Sequence, residues 1–134
     1  MIELHLKIVG VLVTLLSLIH IGFPRYFLWS DQLKKLSLIN KQMMEAHTFF
    51  IAIVLIGIGL LAFFHGDALH NSEFGNHIAA GLAFFWLLRL IFQLFFYSPR
   101  LWLDKPFETT VHIVFTAFII YLITVFLITS RLFT

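Results

Sequence analysis

Apolar residues fill this chain in four long runs, and the polar positions between and within them carry the rest of the reading. Runs of about twenty apolar residues suit helices that cross a bilayer core, and they fall at about 6–23, 43–64, 77–97 and 107–129. The first run is expected to stop at Pro24, which a helix does not easily continue through. The third is expected to end at Ser98-Pro99. The fourth begins behind Asp104 and Pro106, a pair suited to a helix start because proline is favoured in the first turn. The stretch from Arg25 to Lys41 is of a different kind. Tyr26 and Trp29 fit an interfacial aromatic belt. Ser30-Asp31 is suited to cap a short helix that sets Leu33, Leu36 and Leu38 against Lys34, Lys35 and Lys41, a pattern expected to lie on the membrane surface. His65 to His77 (HGDALHNSEFGNH) reads as a polar loop.

The expected fold is all-α: one integral membrane domain of four transmembrane helices, with an interfacial segment between the first and second. Composition supports the class, since 60% of the 134 residues are hydrophobic, mean hydropathy is +0.97 and only 12% are charged, about half the charged share of soluble domains. Four crossings put both termini on one side. The loops joining runs one to two and three to four hold Arg25, Lys34, Lys35, Lys41, Arg100 and Lys105, whereas the loop between runs two and three holds no lysine or arginine. By the positive-inside rule the basic loops are cytoplasmic and both termini face outward. The expected location is a bacterial inner membrane, with the lipid bilayer and other membrane subunits as partners. A net charge of +2 is too small to suggest nucleic acid. Without cysteine there are no disulfides and no thiolate metal sites. The first run reads as a span rather than a cleaved signal, because no small-residue cleavage site follows it.

Chemistry enters through the polar residues inside the runs. Arg89 lies deep in the third, with Gln93 and Tyr97 following at intervals of four, so the three share a helix face within about 80°. A charge at that depth costs at least a few kcal/mol unless it meets a partner or water, so this face must turn inward. Glu108, His112 and Thr116 share a face of the fourth run in the same way. With the expected topology, His20, His47, His112, Arg89 and Gln93 all fall within roughly 5–15 Å of the cytoplasmic surface.

Neutral imidazole is the commonest metal ligand. His20, His47 and His112 would suit zinc, copper or iron, with Glu108 orienting His112 and Met43 and Met44 making copper(I) conceivable. Alternatively, two of the histidines would ligate haem b while Arg89 paired with a propionate. In that reading Arg89, Gln93 and Tyr97 hold a substrate, a propionate or a bound anion, and the work is electron transfer or cofactor handling. Two rivals stand beside it: a non-catalytic subunit packed against a larger complex, and a proton or small-solute pathway lined by His112, Thr116, Gln93 and Tyr97. A weaker outer site combines His65, His70 and His77 with Asp67 and Glu73, joined by His5. Other chemistry is discounted. The chain has no His-x-x-x-His, no phosphate-cradling glycine loop, no nucleophile signature and no mid-membrane lysine.

Overall fold

A computed structural model describes residues 1–27, 29–97, 101 and 105–132 of the protein, which are mostly helical, with no strand among them. The elements are α1 (Ile2–Tyr26), α2 (Trp29–Gln32), α3 (Leu38–Phe64), α4 (Gly66–Asn71), α5 (Glu73–Ile91), a π-helical segment (Phe92–Phe96) and α6 (Pro106–Ser130). Four stretches, α1, α3, α5 with the π segment, and α6, are long and apolar enough to cross a membrane, which is consistent with a multi-pass membrane protein.

Several boundaries differ from expectation. α1 runs through Pro24 to Tyr26. A proline this close to the end forfeits a single backbone bond in the last turn, and Phe27 N–H still donates to the Phe23 carbonyl at 2.9 Å, so the local cost stays small. α3 begins five residues earlier than expected because Ser37 serves as its N-cap, accepting from Asn40 N–H at 3.4 Å. Among the described residues between them only Trp29–Gln32 is helical, with Asp31 inside that turn rather than capping it. Asp31 forms an ion pair with Lys34 at 3.1 Å. The expected polar loop from His65 to His77 is also largely helical: α4 occupies its first half and Ser72 caps α5, accepting from Gly75 N–H at 2.9 Å. Pro106 sits in the first turn of α6 as expected. Ser98, Pro99, Arg100, Trp102 and Asp104, on which parts of the sequence reading fell, lie outside the described residues.

The chain divides into two compact units, Leu6–Gly66 and Asp67–Thr134 with Met1–His5. In the first unit α1 and α3 pack antiparallel, with Leu6 against Gly66, Gly10 against Gly59 and Phe63, and Ser17 Oγ donating to the Ala52 carbonyl at 2.8 Å. Glycine at the crossing lets the two backbones meet. A Cβ on Gly59 would fall on Thr14 Oγ1 and 2.8 Å from the Gly10 carbonyl oxygen, whereas one on Gly57 would meet nothing within 4 Å. Gly59→Ala is therefore expected to destabilise this hairpin by about 1–3 kcal/mol through overpacking, and Gly57→Ala to be neutral. Unfolding followed by circular dichroism in graded SDS reads the difference, and equal midpoints for the two variants would refute the crossing.

The second unit is also an antiparallel hairpin. Asn76 meets Thr129 at one end and Gln93 meets His112 at the other. Its buried side chains cluster towards one end, Ala79, Ala83 and Trp86 on α5 and Ile119, Leu122, Val125 and Phe126 on α6. Towards the other end the flanks are exposed, and Gln93, 8% accessible, is the buried residue of the π segment.

Candidate functional site

The exposed end of the α5–α6 hairpin carries a directed chain of hydrogen bonds. Arg89 Nη1 donates to Gln93 Oε1 at 3.2 Å, and Gln93 Nε2 meets His112 Nδ1 at 2.9 Å. Arginine has only donors, so it fixes the amide with its oxygen towards Arg89 and its nitrogen towards α6. His112 Nδ1 is thereby the acceptor, which places the ring hydrogen of the neutral imidazole on Nε2. Thr116 Oγ1 donates to the His112 carbonyl at 2.8 Å, one turn further along the same face.

The π segment adjusts the geometry of this chain. An α-helix advances about 40° for every four residues, so residues 89, 93 and 97 would drift around the helix. Winding with i→i+5 bonds, such as Tyr97 N–H to the Phe92 carbonyl at 3.4 Å, turns the backbone less per residue and brings Tyr97 back towards the azimuth of Arg89. The guanidinium carbon lies 5.6 Å from the Tyr97 ring centre and 5.9 Å from that of Phe115 on α6. Both are cation–π distances, worth about 0.5–2 kcal/mol each depending on desolvation. The arginine thus extends towards the Phe96 end of its span, held by one amide and two ring faces. Among the described residues no carboxylate pairs with it; the ion pair found there is Asp31 with Lys34. π segments inside α-helices are frequently functional. The hydrophobic pattern does not distinguish one from an α turn.

Among the described residues the remaining candidates take no part in this chain of hydrogen bonds. Glu108 is exposed; Gln93 rather than Glu108 meets the His112 ring. His20 and His47 belong to the other unit. His20 bonds the Leu16 carbonyl through Nδ1 at 2.9 Å and lies against Phe23, with ring centres 4.6 Å apart. His47, Met43 and Met44 are exposed on α3. Among the described residues no group of three or more histidine, aspartate and glutamate side chains is gathered to hold a metal ion.

The outer histidines are also dispersed. His65 caps the end of α3, His77 is exposed, and His70 Nδ1–H donates to the Thr129 carbonyl at 3.3 Å. His5 pairs through Nδ1 with the Tyr121 hydroxyl at 2.8 Å. Around His70 the polar groups form a clasp between helix ends. Asn76 Nδ2 lies within 2.9–3.1 Å of the Leu69, His70 and Thr129 carbonyls. Arg131, the αL residue ending α6, donates to the His70 carbonyl at 2.7 Å and to Asn71 Oδ1 at 2.9 Å. These bonds satisfy carbonyls that a helix end otherwise leaves open.

Two participants escape sequence reasoning. Asn76 sits inside what reads as a loop, and its position four residues after a capping serine is the available signal. Trp86 is 2% accessible, and its Nε1–H has no hydrogen-bond partner among the described residues. An unpaired buried donor costs about 1–3 kcal/mol. Its spacing of seven from Gln93 puts it on the same face, a signal that an apolar reading of tryptophan passes over.

The chain matches no protein-family model, and comparison with curated proteins and with solved structures returns no match.

Proposed function

We propose that this is a membrane-embedded binding protein whose working site is the Arg89–Gln93–His112 chain, and that Arg89 holds the anionic group of a substrate or cofactor. One observation carries the reading: a guanidinium within an apolar span is held by an amide and two aromatic faces, with no carboxylate among the described residues to neutralise it. A cation so placed is stabilised by an anion brought from outside the chain. Gln93 and His112 fix its direction, and Tyr97 and Phe115 wall the approach. A haem propionate, a carboxylic acid and a phosphate share this chemistry. In this reading, which takes its orientation from the positive-inside bias of the sequence, the site faces the cytoplasmic side of a bacterial inner membrane and both termini lie outside.

The test is to purify the protein in mild detergent and identify co-purifying small molecules by mass spectrometry, alongside an absorption spectrum and metal analysis. The expected result is an anionic species retained by the wild type and lost in Arg89→Gln. Identical contents in both proteins would refute the site.

A second reading, a non-catalytic subunit of a larger membrane assembly, draws on Gln42, Glu45 and His47, polar residues exposed along the first turns of an apolar span. Such groups need partners within a bilayer. Under this reading the triple substitution Gln42→Leu, Glu45→Leu, His47→Leu abolishes a stable larger complex and leaves Arg89-dependent binding unchanged.

A further inference from the structure

We infer that the anion held at Arg89 is the phosphate of a glycerophospholipid, whose ester carbonyl accepts from the Trp86 indole N–H. The inference rests on the Arg89 reading above and names the ligand class. Three observations lead to it.

The first is the route of access. Around the Arg89 end of the hairpin, Phe92 is 50%, Phe95 80% and Phe96 70% exposed. These faces suit an apolar phase. A bare anion crossing that phase loses its hydration, while an amphiphile already in the bilayer brings its headgroup alongside without leaving the interface.

The second is depth. Arg89 is seven residues from Phe96 and Trp86 ten, or about 10 and 15 Å at the α-helical rise. The guanidinium reaches towards Gln93 and Tyr97, that is, towards the end of the span, as long cationic side chains do near an interface. The donors therefore run inward in the order guanidinium, then indole. A glycerophospholipid presents its acceptors in the same order: phosphate outermost, ester carbonyl next, acyl chain beyond.

The third is the unpaired Trp86 donor, buried on the face that carries Gln93. Among the described residues it has no acceptor, and a ligand carbonyl reaching it would supply one. Arg89 explains an anion; only the second donor singles out a ligand with a carbonyl placed deeper than its charge.

Native mass spectrometry of the delipidated protein in detergent tests this with four probes: diacyl phosphatidylglycerol, its diether analogue, diacylglycerol and inorganic phosphate. Diacyl phosphatidylglycerol is expected to bind one to one and about tenfold or more tighter than diacylglycerol, the size of one charge-assisted contact. Arg89→Gln removes that preference, and Arg89→Lys, which keeps the charge without the planar fork, retains part of it. The diether analogue binds about three- to tenfold more weakly than the diester, as one lost hydrogen bond requires, and Trp86→Phe erases the difference. Circular dichroism confirms that the variants fold. Equal binding of diester and diether lipid by the wild type would overturn the carbonyl contact. Arg89-dependent binding of inorganic phosphate with no preference for lipid would overturn the lipid assignment and leave the anion site standing. Binding of all probes unaffected at Arg89 would remove both.

Discussion

Gly75→Ala is expected to open the corner between α4 and α5 and to lower the stability of the α5–α6 hairpin by about 3 kcal/mol or more, at the upper end of overpacking costs. A Cβ on Gly75 would fall on the Ala68 carbonyl oxygen, 2.6 Å from Leu69 Cα and 2.7 Å from the Ala68 carbonyl carbon. All three are backbone atoms, so no rotamer change relieves the overlap and the two helices must separate. The loss spreads to the next residue, because Asn76 reaches the Leu69, His70 and Thr129 carbonyls from the same turn. Gly81→Ala is the control: nothing lies within 4 Å of its added Cβ, and alanine is the better helix former by about 1 kcal/mol. Amide hydrogen exchange checks both. The Gly75 variant should lose protection at the end of α6 and the start of α5, and the Gly81 variant should match or exceed the wild type. A Gly75→Ala protein with wild-type protection would show that this corner is not closed as described.

That corner also shows how far sequence goes for this chain. The four apolar stretches are legible because hydrophobic length is a one-dimensional property, read without knowing any partner. Helix ends are less so. Ser37 and Ser72 are both good caps, yet each lies beside residues polar enough to read as interface or loop, and the caps extend the helices past the apolar runs. The link between Gln93 and His112 is legible in part: intervals of four place Arg89 with Gln93 and His112 with Thr116, and an antiparallel hairpin brings the two pairs to one level. The identity of the partner is a different matter. Glu108 and Gln93 are both within sequence reach of His112, and only three dimensions select the amide. The π segment leaves no mark in the hydrophobic pattern, since changing from i+4 to i+5 bonds alters azimuth without altering composition. His5 illustrates a second limit. Grouped by sequence with the outer histidines, it pairs instead with Tyr121, more than a hundred residues away.

Gln93 is where the structural and binding roles of the site can be separated, and two substitutions there are expected to diverge. Gln93→Leu removes the acceptor for Arg89 and the donor to His112 together. Interhelical hydrogen bonds in membranes average about 0.6 kcal/mol and reach about 1.7, and bonds to charged groups lie above the neutral mean, so a loss of about 1–3 kcal/mol is expected. With its guanidinium no longer aimed, the variant should also bind the anionic ligand about tenfold or more weakly, the equivalent of one charge-assisted contact. Gln93→Glu behaves differently. A carboxylate at this position accepts from Arg89 more strongly than the amide and accepts from His112 once the ring hydrogen moves to Nδ1, so the hairpin keeps its stability. The same carboxylate neutralises the guanidinium and competes with any incoming anion, so binding falls as far as in Gln93→Leu. Unfolding midpoints in SDS, read beside ligand titration by native mass spectrometry, give the two quantities for each variant. If Gln93→Glu bound anionic ligand like the wild type, Arg89 would not be its anchor, and the chain of hydrogen bonds would serve only to join α5 to α6.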